Sequence, residues 1–188
     1  RVKYRNVPNR KVFDRLLDSA EPLGAVVEPR IYSGWNPLGP NPGSLHVFEG
    51  VLRISRPGRY TFCTASTDAS FLEIDGKPVV AWPGSHDVWG GLRGERAGSI
   101  DLDAGLHRIT YLHANSRGSC YSLAGWRTPG GEKKFSPIPA NAYAPTLRAK
   151  IGPRLDDYGR KIPDFSWLLE EMLTEEGQKL QLYFVSVS

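Results

Sequence analysis

The alternation of apolar and polar positions divides the chain into a β-rich middle and two flanks that contain helices. In the first flank, residues 9–20 carry apolar side chains at helical spacing, and Asn9 can cap the helix N-terminus. In the second flank, residues 164–176 repeat this stripe after Asp164, and residues 180–187 then alternate with the period of a strand. The pattern predicts one helix near each end and a final strand.

The middle of the chain, residues 45–127, consists of short β-prone runs that are separated by turn residues about every ten positions. Its strongest turn signal is Asp75-Gly76, a pair that is typical of two-residue hairpins. Runs this close together leave no room for the helical crossovers that parallel strands require. We therefore expect a mainly β protein, an antiparallel β-sandwich with a short helix-plus-strand extension at each end.

These elements divide the chain into an N-terminal helical arm, a β-sandwich and a C-terminal extension, over residues 1–30, 31–145 and 146–188. A further hypothesis is that the two flanks pack together and share strands, near residues 2–4, 26–32 and 180–187. The final strand then pairs within its own chain. The alternative is that it stays exposed and adds to the sheet of a neighbouring molecule.

Composition and charge narrow the classes of function. Of the 188 residues, 40% are hydrophobic and 23% are charged, a balance that is typical of a folded domain. The net charge is +4 and the longest basic runs are pairs such as Lys133-Lys134, so we expect no nucleic-acid partner. No apolar run approaches the roughly 18 residues of a membrane-spanning helix, so we expect no membrane insertion.

The sequence contains none of the short motifs that signal an enzyme. G-x-S-x-G, C-x-x-C, H-E-x-x-H and a phosphate loop are all absent, and we expect no catalysis. Cys63 and Cys120 are too few for a disulfide scaffold or for a zinc site by themselves. They either pair with each other or are both buried as small apolar side chains. The strand histidines His46 and His107 are interpreted as structural.

Ordered motifs in the β region resemble those of a known family. A G-x-Y-x-F strand, a polar loop, an L-x-I-D-G hairpin with a Val-Val return strand and a G-x-I-x-L-x-A-G-x-H motif follow one another. The matching residues are Gly58, Tyr60, Phe62, Leu72, Ile74, Asp75, Gly76, Val79, Val80, Gly98, Ile100, Leu102, Ala104, Gly105, His107, Ile109, Tyr111 and Trp126, with Phe48-Glu49-Gly50 upstream. In this order they resemble the PA-fourteen domain family, first defined in anthrax protective antigen, over about residues 31–145.

The resemblance implies a twisted β-sandwich that binds a sugar or a protein partner outside the cell. In sugar-binding members, two consecutive Asp residues before the L-x-I-D-G hairpin hold a calcium ion that coordinates sugar hydroxyls. Here Thr67 stands in place of the first Asp and Ala69 in place of a Gly, and only Asp68 remains. We therefore expect no cofactor, and Asp68 is the one residue of that pair left to contact calcium.

The loop after the Val-Val strand combines aromatic and polar side chains, as sugar sites do. Trp89 is predicted to stack on the apolar face of a sugar ring, while His86, Asp87 and Asp68 hydrogen-bond its hydroxyls. Two structural alternatives stay open. Trp89 instead plugs the end of the sandwich, or Asp68 bonds the backbone N–H groups of its own loop. Trp82, which ends the strand, is expected in the core.

Together these features predict a non-catalytic, lectin-like or adhesive binding module that is secreted or held at the cell surface. Its expected partner is a glycan or a cell-surface protein. The alternative is a structural protein of a surface layer or fibre that self-associates through Leu180 to Val187. Mass in solution separates the two, because a binding module is expected to be monomeric and an assembly unit is not.

Overall fold

The computed structural model describes residues 7–20, 22–116, 118–144 and 182–187, with side chains for all of these except residues 22 and 182–187. The predicted strand near residues 2–4 and the predicted helix over residues 164–176 lie outside the described residues. Among the described helices, none has both the length and the apolar character needed to cross a membrane.

The described residues form one α-helix, twelve strands and two short 3-10 helices, at Val88–Arg93 and Ala140–Ala142. The helix α1 spans Arg10–Asp18. The strands are β1 (Pro22–Val27), β2 (Tyr32–Ser33), β3 (Ser44–Ile54), β4 (Gly58–Ser66), β5 (Ser70–Ile74), β6 (Lys77–Trp82), β7 (Ala97–Leu102), β8 (Gly105–Asn115), β9 (Ser122–Arg127), β10 (Ser136–Pro137), β11 (Tyr143–Ala144) and β12 (Leu182–Val187).

Two antiparallel sheets make up the body of the molecule. The larger has the order β1-β12-β3-β8-β5-β6, with β11 also paired to β3. The smaller has the order β10-β9-β4-β7, with β2 also paired to β9. Every strand pair among the described residues is antiparallel. The predicted antiparallel β-sandwich is confirmed.

Apolar side chains from both sheets interdigitate to form the main core. Because successive residues of a strand face opposite sides, alternate positions of each strand enter this layer. The large side chains of this core that are at most 3% exposed are Ile31, Phe48, Leu52, Ile54, Tyr60, Phe62, Leu72, Ile74, Ile109, Tyr111, Ile138 and Tyr143. Trp82 is also buried, with 7% of its surface exposed, as the sequence predicts.

The hairpin between β5 and β6 turns at the predicted pair. Asp75 and Gly76 both have positive φ angles, +52° and +74°. A two-residue turn that matches the twist of its strands needs positive φ at both positions, which Asp and Gly adopt more readily than other residues. The Asp75-Gly76 hairpin prediction is confirmed.

Helix α1 covers the outer face of the larger sheet. The Asn9 side chain caps it by accepting a hydrogen bond from the Val12 amide at 3.0 Å, and Phe13 on its inner face is fully buried. The Phe13 ring meets Phe71 of β5 edge-on, with centroids 6.2 Å apart. Burying a ring of this size contributes about 1.5–3 kcal/mol. The helix predicted from its apolar stripe therefore packs on the sandwich.

The final strand is enclosed on both sides. Strand β12 (Leu182–Val187) pairs with β3 along its whole length on one edge, and with β1 over residues 182–186 on the other. The two flanks therefore share a sheet through β1 and β12, as hypothesised, although β1 includes only residues 26–27 of the segment 26–32 that was predicted for it. The alternative function required an exposed final strand, and that expectation is wrong for residues 182–186, because both edges of this stretch are paired within the chain.

Candidate ligand-binding cleft

Polar side chains replace apolar ones between the sheets at one end of the sandwich. Eight of them are at most 1% exposed: Ser44, His46, Thr64, Ser66, Ser70, His113, Asn115 and Ser122. Buried polar groups are stable only when they are hydrogen-bonded, so this layer fixes the loops that lie above it. Three loops meet here, the β4–β5 loop, the loop after β6 and the β8–β9 loop.

Asp68 joins these three loops. It is 4% exposed, and its Oδ1 accepts a hydrogen bond from the Ser85 hydroxyl at 2.6 Å. Its Oδ2 accepts from the Ser116 amide at 2.8 Å and also from the Ser116 hydroxyl. The Asp68 amide donates to the His86 carbonyl at 2.9 Å. The Asp68 carboxylate therefore accepts hydrogen bonds from two other loops. The sequence interpretations, a ligand contact or bonds to the backbone of its own loop, did not include this role.

The loops surround an open cleft of about 450 Å³. It is lined by Thr67, His86, Asp87, Gly118, Ser119 and Tyr121. The cleft brings together His86 and Asp87 from the predicted set, whereas Asp68 lies beneath it and Trp89 is outside its lining. Hydroxyl, imidazole, carboxylate and phenol groups therefore face one volume of small-molecule size.

Tyr121 is the aromatic side chain of the cleft. Its backbone is tied to Thr67 by two hydrogen bonds: the Thr67 amide donates to the Tyr121 carbonyl at 3.0 Å, and the Tyr121 amide donates to the Thr67 hydroxyl at 3.3 Å. The ring packs beside Gly34, where an added Cβ would lie 3.2 Å from Tyr121 Cε1. Its backbone is therefore held in place, and with 48% of its surface exposed Tyr121 offers an aromatic ring to a ligand.

His86 lies flat against the end of the core. Its ring stacks on Trp82 with centroids 4.0 Å apart and an interplanar angle of 15°. Its Nε2 is 3.3 Å from the Trp82 carbonyl oxygen and its Nδ1 is 3.4 Å from that of Asp87. The Asp87 carboxylate accepts from the Val88 amide at 2.7 Å and so caps the following 3-10 helix. Both side chains are therefore held in place at the cleft wall.

Trp89 projects from the 3-10 helix Val88–Arg93 and is 76% exposed. The alternative that it plugs the sandwich is wrong, because the helix packs on β4 through Gly91 instead. A Cβ on Gly91 would lie 2.1 Å from the Ala65 Cβ, so only a glycine allows this close approach. The indole is left as an exposed aromatic surface that is two residues beyond Asp87.

His113 supports the cleft from below. Its Nε2 donates to the Thr67 carbonyl at 2.6 Å, and its Nδ1 accepts from the Ser122 hydroxyl at 2.7 Å. Burial lowers the pKa of His113 to about 4, so the ring is neutral at physiological pH. The neutral ring, with one donor and one acceptor, matches both partners.

His107 lies at the opposite end of the sandwich and has no part in the cleft. Its Nδ1 is 2.7 Å from Asp75 Oδ2, and its Nε2 is 3.0 Å from the Asp103 carbonyl oxygen. Partial burial lowers the pKa of His107, but the hydrogen bonds and charges of Asp75 and Asp103 outweigh this and raise it overall. Its contacts close the β5–β6 hairpin, in agreement with a structural interpretation.

No protein-family model and no curated protein matches this sequence, but solved structures do match its fold. The PA14 sugar-binding domain from an RTX adhesin has a TM-score of 0.58 at 15% identity, over 73% of this chain and 88% of that one. The PA14 domain of the MpAFP antifreeze protein has a TM-score of 0.57 at 18% identity, over 73% and 83%. This chain has a PA14-like fold.

The PA14-like fold confirms the resemblance stated from the sequence motifs. A third structure, an anti-sigma factor domain-containing protein from Clostridium clariflavum, has a TM-score of 0.54 at 21% identity. The match covers 70% of this chain and 44% of the Clostridium clariflavum protein. At these identities the likeness concerns the fold, and the function must be argued from the site.

Replacing Asp68 with asparagine tests whether its carboxylate joins the loops. The asparagine side chain has no negative charge to strengthen these hydrogen bonds. Its NH₂ group also replaces one accepting oxygen, so it faces a donor, either the Ser85 hydroxyl or the Ser116 amide. We expect a loss of about 2 kcal/mol in the free energy of unfolding, measured by urea denaturation. The exposed Asp101→Asn variant is the control and should change it by less than about 0.5 kcal/mol. Wild-type stability of Asp68→Asn would contradict this role.

Proposed function

We propose that this PA14-like chain is a non-catalytic binding module whose cleft takes a carbohydrate. The observation that carries the proposal is the combination of one aromatic ring, Tyr121, with the polar side chains of Thr67, His86, Asp87 and Ser119 around a single cleft. A sugar presents apolar ring faces and a rim of hydroxyls, and this lining offers both kinds of contact. The sugar-binding domain with a similar fold supports the same ligand class.

Tyr121 takes the stacking role in this proposal, and the polar residues of the cleft take the hydroxyls. Asp87 accepts hydrogen bonds, and Thr67 and Ser119 both donate and accept them. Asp68 acts as a positioning residue, because its carboxylate oxygens accept hydrogen bonds from Ser85 and Ser116. Trp89 adds a second stacking surface for a ligand that extends beyond the cleft.

Calcium does not fit the residues present. A calcium site needs about six to eight oxygen ligands, and the first Asp of the family pattern is replaced by Thr67. Thr67 instead bonds the backbone of Tyr121, and Asp68 is occupied by hydroxyl and amide donors. We therefore propose that binding is independent of calcium.

Absence of catalysis is part of the proposal. Hydrolysis of a glycosidic bond ordinarily uses two carboxyl groups that flank the bond. Among the described residues that line the cleft, Asp87 supplies the only carboxylate. A shallow cleft with one ring gives modest affinity, so display of several copies at a cell surface or on a secreted protein would suit its use in adhesion.

A glycan array followed by calorimetry on the best ligand tests the proposal. We expect wild-type binding that survives a calcium chelator, and a loss of about tenfold or more in affinity for Tyr121→Ala. Trp89→Ala should weaken longer oligosaccharides more than monosaccharides. Leu106→Ala is the matched control, because Leu106 is 65% exposed at the opposite end of β8. No binding to any glycan, or wild-type affinity of Tyr121→Ala, would overturn the proposal.

A further inference from the structure

Beneath the cleft, three side chains from distant parts of the sequence come together between the sheets. His46 lies on β3, His113 on β8, and Cys120 just before β9, and all three are fully buried. One potential ligand atom from each lies within 4.8 Å of the other two. His46 Nε2 is 3.4 Å from Cys120 Sγ, and the two imidazole rings meet edge-on with centroids 5.2 Å apart.

We propose that His46, His113 and Cys120 bind a zinc ion. The site is separate from the cleft and from the proposed carbohydrate function, and it uses none of the residues that line the cleft. Imidazole nitrogen and thiolate sulfur are the donors that zinc prefers, at about 2.0–2.1 Å and 2.3 Å. In a tetrahedral site these bond lengths place ligand atoms about 3.3–3.6 Å apart. The cluster therefore needs adjustments of about 1 Å, within the range of small side-chain rotations.

The hydrogen bonds of His113 suit a metal ligand. In metal sites, the second nitrogen of a ligating histidine usually donates to a carbonyl or carboxylate, which fixes the ring. His113 Nε2 does this with the Thr67 carbonyl at 2.6 Å, so its lone pair is on Nδ1. That nitrogen now accepts from the Ser122 hydroxyl at 2.7 Å, a bond that a zinc ion would replace.

The neighbouring residues offer hydrogen-bonding partners to a fourth ligand. The Ser44 hydroxyl is 2.8 Å from His46 Nε2 and 3.9 Å from Cys120 Sγ. Asn115 pairs with Ser44 across β3 and β8, and its buried Oδ1 accepts no hydrogen bond from the described residues. A zinc-bound water would complete the coordination and bring a donor to this part of the layer.

The competing account is a hydrogen-bonded network of neutral side chains that holds no ion. Only the zinc site would link the two sheets through metal bonds. His46 and His113 belong to the larger sheet, whereas Cys120 leads into β9 of the smaller one. A zinc ion would tie the two sheets directly below the β4–β5 loop, and its binding energy would add to the stability of the sandwich.

Metal analysis of the full chain tests the proposal. Chelator-treated protein is dialysed against zinc and expected to retain one ion per chain. Its Tm should rise by roughly 5–10 °C at a zinc concentration about 100 times the Kd. Cys120→Ala should lose both effects, and Cys63→Ala, which removes the other buried thiol, should keep them. No retained zinc, or retention by Cys120→Ala, would overturn the proposal.

Cobalt substitution covers the case in which Cys120→Ala does not fold. Cobalt replaces zinc in such sites, and a bound thiolate gives a charge-transfer absorption band in the near ultraviolet. We expect this band, together with the visible bands of a tetrahedral ion, in the wild-type and Cys63→Ala proteins. A cobalt complex of the wild-type protein without the thiolate band would show that Cys120 is not a ligand and would overturn the proposal.

Discussion

Gly98→Ala is expected to destabilise the protein by about 3 kcal/mol, and its Tm should fall by roughly 10 °C. Gly98 lies on β7, the edge of the smaller sheet, where it faces β6, the edge of the larger one. A Cβ at this position would lie 1.8 Å from the Val79 carbonyl oxygen, whereas ordinary contact begins near 3.4 Å. Because the obstructing atom is backbone, the methyl group can be accommodated only if one of the two edge strands moves.

Urea denaturation of Gly98→Ala and of the neighbouring Ser99→Ala variant measures this effect. Ser99 is exposed, and its hydroxyl bonds that of Thr61 at 2.9 Å, so its loss should cost only about 0.5 kcal/mol. Both variants place an alanine on β7. The alanine at position 98 meets the backbone of Val79, whereas the alanine at position 99 is exposed. A wild-type unfolding midpoint for Gly98→Ala would contradict the close approach of the two sheet edges.

The second large effect is a loss of stability in mild acid. Burial lowers the pKa of His113 to about 4, and burial together with the charge of His113 holds the pKa of His46 well below its usual value. An unfolded histidine has a pKa of about 6.5, so the unfolded chain takes up protons first as the pH falls. The stability that His113 contributes is present above about pH 6.5 and is lost as the pH falls toward about 4, and the contribution of His46 is lost in the same direction.

As the pH falls from about 7 to about 5, His113 alone should lower the free energy of unfolding by about 2 kcal/mol, and His46 should lower it further. His107 has the opposite effect. Because its pKa is raised in the folded state, the stability that it contributes is fully present below about pH 6.5 and is lost as the pH rises. Asp68 raises the pKa of His113 and His86 lowers it, but both contribute less than burial. The net expectation is a lower stability at pH 5.

Urea unfolding of the chelator-treated protein at both pH values checks this expectation. His113→Gln cannot titrate at this position, so its stability should depend less on pH, whatever its stability at neutral pH. Asp75→Asn removes the partner of His107 and should make the acid loss larger. Equal or greater stability of the wild-type protein at pH 5 would contradict a neutral, buried histidine pair.

Much of the fold could be predicted because local rules and tertiary structure agree in it. Phe62 and Ile74 lie at alternating positions of short strands, and such positions face the core of a sandwich. Asp75-Gly76 is a turn signal that needs no tertiary context. The helix that contains Phe13 was predicted from its apolar stripe and from Asn9, and the sheet beneath it supplies the surface on which that stripe is buried.

The candidate site was predictable only in part. His86 and Asp87 lie in one loop that is rich in polar and aromatic residues, and that loop does line the cleft. The role of Asp68 depends on Ser85 and Ser116, which are 17 and 48 residues away in the chain. Sequence patterns report neighbours within a few residues and cannot show such partners.

Tyr121 could not be found from the sequence. It directly precedes β9, and it reaches the cleft because the pairing of β4 with β9 continues into its bonds with Thr67. The same pairing, with that of β3 and β8, brings His46, His113 and Cys120 together from three separate strands or strand ends. Each of these residues taken alone looks like an ordinary buried side chain.

NMR mapping of the ligand site shows whether the loops above the polar layer form a carbohydrate-binding cleft. The probes are galactose, mannose, fucose and N-acetylglucosamine, each titrated at millimolar concentrations into the uniformly ¹⁵N-labelled protein. We expect at least one sugar to shift the amide signals of Thr67, His86, Asp87, Ser119 and Tyr121, with or without calcium. Shifts confined to other surfaces, or no shifts with any of the four sugars, would contradict it.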